Sequence, residues 1–118
     1  MEDQSSTIMI PDEVIFSKIF LIRNMQVILD KDFAVFYQVE TKQLSRAIRR
    51  NSNRFLEDSI FELTREEFQN LRGQLGTSSW GGFRYVPMAF TEYGIEMLAN
   101  VLHSQRAITV INQIVHAF

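Results

Sequence analysis

The chain has no cysteine among its 118 residues. That excludes a disulfide framework, a thiolate metal site and a cysteine nucleophile, and it fits a reducing compartment. Histidine is scarce. His103 and His116 lie too far apart for a metal pair on one helical face, and neither sits in a carboxylate cluster. The sequence therefore gives no reason to expect a metal or another cofactor. No apolar run approaches membrane-spanning length, and the opening MEDQSSTIMI is acidic and polar, unlike a secretory signal. The expected location is the cytoplasm, with no membrane partner. Glycine is sparse and clustered, with three of the five between Gly76 and Gly82. GQLGTSSWGG carries no lysine where a phosphate-cradling loop needs one, and it precedes an expected strand rather than a helix. An excess of positive charge is missing too. The formal net charge is −2, whereas DNA-binding domains are usually basic. The acids gather in residues 1–13 and 57–67, so a local basic patch remains available elsewhere.

What is present is ordinary globular composition, 46% apolar and 22% charged, in a length that suits one domain with a real core. The informative stretch is DKDFAVFYQVETKQLSRAIRRNSNRF, from Asp30 to Phe55. Asp30 suits an N-cap for a helix over residues 31–37, with Phe33, Phe36 and Tyr37 on one apolar face. Gln38, Val39 and Glu40 make a turn that lacks the glycine common in such motifs. Thr41 then suits the cap of a second helix running to about Asn51. With about 100° per residue, Leu44, Ala47 and Ile48 share one stripe, while Lys42, Arg46, Arg49 and Asn53 share the opposite one. Gln43 and Arg50 flank the polar stripe and Arg54 follows it. From Glu40 to Arg54 there are five basic residues and one acidic one. A short helix, a tight turn and a helix with an outward basic and amide face is the layout of a helix-turn-helix. Its cations reach phosphates, and Arg, Asn and Gln can pair with base edges. A charged helix face that is merely solvated remains the competing reading.

The rest of the chain frames that pair. Residues 1–14 read as a loose tail in which Pro11 opens a short helical turn, with Ile15 and Phe16 available for docking. KIFLIRNMQVILD reads as a hairpin with its turn at Asn24-Met25. A short strand is expected near residues 59–63, and Thr64 with Glu67 forms a capping box for the helix REEFQNLRG. FRYVP reads as a strand that ends at Pro87 and pairs with residues 61–63. The loop before it would project like the wing of a winged helix, bringing Trp80 and Arg84 to its tip or base. Trp80 folded back as a core anchor is the alternative. Thr91 and Glu92 open a helix carrying Ile95, Leu98, Ala99 and Leu102. Ser104 opens a last helix with Ala107, Ile108, Ile111, Ile114, Val115 and Phe118 on one apolar face, which ends without a helix-stop signal. That face is expected to serve as a homodimer surface if it stands open.

A looser pattern points to an enzyme. Pro11-Asp12 followed by Glu40-Thr41-Lys42 matches the Pro-Asp…Glu-x-Lys signature of metal-dependent nucleases. In such sites Glu-x-Lys lies on a strand beside the first acid, whereas here it opens a helix, so an enzyme is not expected.

Several stretches taken together carry a family resemblance. They are the Leu29-Asp30 opening, Val39-Glu40-Thr41-Lys42, Arg54-Phe55, Leu63-Thr64 with Glu67, Trp80-Gly81-Gly82 and Ala89-Phe90-Thr91-Glu92. In order and spacing they resemble the phage open-reading-frame-six N-terminal domain, a family grouped with the KilA-N and Bro-N domains. The resemblance covers roughly Ile15 to Phe118; Leu56 and Tyr93 stand where the family often has Pro and Gln. It implies a double-stranded DNA-binding module at the front of a phage or prophage regulator or antirepressor, acting at the host nucleoid and followed by a separate C-terminal domain. It implies no catalytic residues. The expected fold is α+β, winged-helix-like: a helix-turn-helix-like pair, small β-hairpins and two C-terminal helices in one domain over residues 15–118. On helix geometry the candidate DNA contacts are Lys42, Gln43, Ser45, Arg46, Arg49, Arg50, Asn53 and Arg54, with Trp80 and Arg84 from the wing. The alternative function is a protein-interaction module acting on a repressor or another protein partner.

Overall fold

The computed structural model describes residues 10–75 and 86–118. The expected contacts Trp80 and Arg84 therefore lie outside the described residues. The architecture is α+β: one four-stranded antiparallel sheet with helices packed on both faces.

Helix α1 (Asp12–Phe16) forms behind Pro11 and buries Ile15, although Phe16 stays exposed. Strands β1 (Ile19–Ile22) and β2 (Met25–Leu29) make the expected hairpin. The turn sits one residue earlier than the sequence suggested. Arg23 and Asn24 form it, both at positive φ (55° and 63°), and Met25 pairs with Ile22. Two such residues match the right-handed twist of the flanking strands. Arg23 has no intrinsic liking for this conformation. Its side chain is held by Glu67, with Nε donating to Oε2 at 2.8 Å and Nη2 to Oε1 at 3.1 Å. The guanidinium also lies 4.1 Å over the Phe61 ring.

Strand β3 (Ile60–Glu62) is an edge, and β4 (Met88–Thr91) pairs with both β3 and β2, giving the order β1-β2-β4-β3. Most of the expected strand FRYVP lies outside the described residues; at its end the Pro87 carbonyl accepts from Leu63 N–H at 3.1 Å. The described strand β4 follows Pro87 and joins the hairpin and β3 into one sheet instead of separate hairpins. Met88, Ala89 and Phe90 are all buried, so β4 shows no polar alternation by which a strand is usually read.

The two sheet faces carry two apolar clusters. Ile28, Met88 and Phe90 join Phe33, Leu44, Ile95, Leu98 and the last helix, while Val27, Leu29 and Ala89 join Phe68 and Leu71 of α4 (Arg65–Leu75). The capping box on α4 forms as expected, with Glu67 N–H donating to Thr64 Oγ1 and Thr64 N–H donating to Glu67 Oε1. Thr91 caps α5 (Glu92–Met97) through Gly94 N–H. Leu98 separates α5 from α6 (Ala99–Leu102), so the helix expected to be continuous there is divided in two.

Ser104 caps α7 (Gln105–Ala117) through Ala107 N–H at 3.0 Å. The apolar face of α7 is no open surface. Ala107, Val110, Ile111, Ile114 and Ala117 are buried in the principal core, Val115 and Phe118 are half-buried, and Ile108 is 39% exposed. A contact through Ile111 would have to open the core.

Two buried positions set measurable properties. A Cβ on Gly94 would collide with the carbonyl oxygen of Ser59, which also accepts from Thr91 N–H and Thr91 Oγ1. Gly94→Ala should therefore lower unfolding stability in urea by about 3 kcal/mol, despite the better helix propensity of Ala.

Asp30 is 1% exposed, and burial pushes its carboxyl up to about 6, opposed by the N–H groups of Met88, Lys31 and Asp30 itself. Because the native value lies above the ordinary one, the native state holds the proton better than the unfolded chain does. Ionising Asp30 thus weakens the fold, and stability rises as pH falls through that value. The shift of Asp32 runs in the same direction, again from burial, with Lys18 Nζ at 3.9 Å opposing it. Glu67, held low chiefly by Arg23, acts in the other direction but only near and below the ordinary carboxylate range. Urea unfolding should gain about 1 kcal/mol on going from about pH 7 to about pH 5, and Asp30→Asn should remove most of that slope.

Candidate nucleic-acid interface

Helix α2 (Asp30–Tyr37) starts one residue earlier than expected. Asp30 is its first residue rather than its N-cap, and Asp30 Oδ1 accepts the neighbouring Lys31 N–H at 2.8 Å. Phe33 anchors the helix. It is fully buried and meets the Phe90 ring edge-on at 5.9 Å. The end of α2 is tied to the start of α7, where Tyr37 Oη and Ser104 Oγ lie 2.9 Å apart.

The turn solves its missing glycine with Gln38, at φ 65° and ψ 47°. Gln38 N–H donates to the Val35 carbonyl and Val39 N–H to the Ala34 carbonyl at 3.0 Å, closing the C-terminus of α2. Glu40, not Thr41, then occupies the N-cap of α3 (Thr41–Arg50), and no side chain caps it. The acidic side chain at this end and Arg49 and Arg50 in the last turn both complement the helix dipole.

Helix α3 has the two faces expected of it. Leu44 and Ile48 are buried and Ala47 is half-buried, while Lys42, Gln43, Arg46, Arg49 and Arg50 are exposed. Ser45 is half-buried at the border. The helix stops at Arg50, one residue short of the expected end, where Asn51 Nδ2 donates to the Ala47 carbonyl at 2.8 Å. Asn53 and Arg54 are exposed in the 3-10 turn Ser52–Arg54 that follows. Two packed apolar side chains thus fix a helix that carries four cations outward, and Arg54 continues the basic surface past its end.

Lys42, Arg46, Arg50 and Arg54 form no ion pair with any described residue. Arg49 does, with Nη2 3.4 Å from Glu62 Oε2 on β3. Sequence reasoning passed over Glu62. Its link to Arg49 arises from the folding of β3 beside α3, and no local spacing announces it.

The other chemistry considered gains no geometry. Asp12 lies in the first turn of α1 and Glu40 at the cap of α3, so neither nuclease-like acid is on a strand. Among the described residues no group of three His, Cys, Asp or Glu could hold a metal ion. His103 ends α6 in a left-handed conformation and His116 lies in the last turn of α7, both exposed. Among the described residues no helix is long and apolar enough to cross a membrane. A cavity of about 500 Å³ lies beside Leu56, Tyr93 and Phe118, but Glu57, Asp58 and Glu92 line it without any Lys, Arg or His, so it repels phosphate.

The turn offers a direct check on how the pair is held. Gln38→Gly removes the cost of a side chain at positive φ, partly offset by a freer unfolded chain. It should raise unfolding stability by up to about 1 kcal/mol.

Comparison with known proteins gives one match. The family model described as the ORF6N domain matches residues 17–101. No curated protein and no solved structure matches the chain. The matched span runs from Ser17, two residues before the β-hairpin, into α6 and includes the whole α2–turn–α3 unit, but it stops short of α7. The chain belongs to the phage-associated ORF6N domain family.

Proposed function

We propose that α3 and the 3-10 turn after it form a double-stranded DNA-reading surface of a phage or prophage regulatory or antirepressor protein that works at the bacterial nucleoid. The observation that carries this reading is the exposed row Lys42, Arg46, Arg49, Arg50 and Arg54, four of them without an ion-pair partner among the described residues, on a helix locked into the core by Leu44 and Ile48. Unpaired cations on a rigid element suit phosphates, whose contacts set affinity and orientation. Gln43, Ser45 and Asn53 add neutral donors and acceptors beside them. Membership in a phage-associated family compatible with regulation supports the same reading. The role is one of binding, with no catalysis assigned.

The test is fluorescence anisotropy of mixed-sequence duplex DNA against the protein across a salt series. Neutralising about four or five phosphates gives a plot of log affinity against log salt with a slope of roughly −4. Arg46→Glu with Arg49→Glu should cost well over tenfold in affinity, while the circular dichroism melt stays close to that of the parent because both side chains are exposed. Absence of binding even at low salt would overturn the reading and leave a protein partner, such as a repressor, as the function to pursue.

A further inference from the structure

The Arg49–Glu62 pair is too exposed to be explained by stability. The two side chains are 68% and 62% exposed, and pairs of that kind contribute little to folding. Its surroundings are nonetheless tied by several contacts. Glu62 pairs with Met88 across the sheet, and its carbonyl accepts from Arg23 Nη2 at 3.4 Å. The same Arg23 is gripped by Glu67 and stacked over Phe61. The strand that presents Glu62 to α3 is thus clamped on its other side.

Resting on the DNA-binding reading above, we propose that Glu62 makes Arg49 a base-reading residue rather than a phosphate contact, with a G·C pair as its preferred ligand. A carboxylate 3.4 Å from the guanidinium repels a phosphate that approaches the same group. A guanine edge carries no formal charge and offers two acceptors, O6 and N7, to parallel N–H donors. Engaging one N–H with Glu62 leaves the other donors of the planar fork free in a restricted orientation. The second carboxylate oxygen can accept from a cytosine N4 amine. Both partners of the ion pair therefore favour the same base pair, and Glu62 disfavours indiscriminate backbone binding.

Glu62→Gln removes the charge and keeps the shape. Anisotropy would be measured with the whole chain on alternating G·C and alternating A·T duplexes across a salt series. The parent should favour the G·C duplex several-fold. Glu62→Gln should bind both duplexes about threefold to tenfold more tightly, steepen the salt slope by about one, and lose most of the preference, because Arg49 is released to a phosphate. In an Arg49→Gln background the same change should no longer steepen the slope. Glu96→Gln, which removes an exposed acid from α5, controls for net charge and should leave both slope and preference as in the parent. If Glu62→Gln leaves slope and preference unchanged while Arg46→Glu with Arg49→Glu still abolishes binding, the role of Glu62 is overturned and the DNA-binding surface stands. If the parent shows no salt-dependent binding at all, both fall together.

Discussion

The edge-on contact between Phe33 and Phe90 joins the two halves of this molecule. Phe90 lies in the central strand β4, between β2 and the edge strand β3. Phe33 lies on α2, and both rings are shut off from solvent. Without that contact the sheet and the helix pair would share far less apolar surface. The direction of α2 would then be set by its ends alone, by a left-handed Gln38 and by the Tyr37–Ser104 hydrogen bond. Because α3 follows α2 by only a three-residue turn, the direction of the basic face is inherited from a buried aromatic pair. Leu44 and Ile48 then fix its rotation.

The same packing explains how an acidic chain presents a basic surface. Charge is sorted by element. The cations of α3 face outward on one side, while Glu57, Asp58 and Glu92 gather around a separate cavity. Net charge governs long-range solubility, but a phosphate within a few ångströms responds to the nearest groups, since salt screens fields beyond about 10 Å at ordinary ionic strength. Total charge is therefore a poor guide to the local surface here.

What could be read from the sequence was what short-range chemistry decides. The capping pair Thr64–Glu67, the caps Thr91 and Ser104, the hairpin and the two-faced character of α3 all depend on residues within a few positions of one another. The misplaced features depend on distant partners. Residues 88–90 carried no strand signal because both faces of β4 are covered, one by α4 and the other by α2 and α5. The apolar face of α7 looked open because nothing in its own spacing shows that α1, α2 and α5 fill it. Thr41 looked like a cap, but its position is set by where Gln38 turns the chain. Glu62 carried no signal at all, for its neighbour Arg49 is reached only through the packing of β3 beside α3.

The position of α7 has a consequence for how this domain can be divided. The family match ends at residue 101, yet five buried side chains beyond it fill the principal core. The boundary drawn by sequence similarity is therefore not a boundary of folding. A fragment trimmed to the matched residues would uncover the apolar faces of α2 and α5 against which α7 packs. The helix that completes the core is therefore part of the folding unit, with Ala107 and Ala117 buried at its two ends.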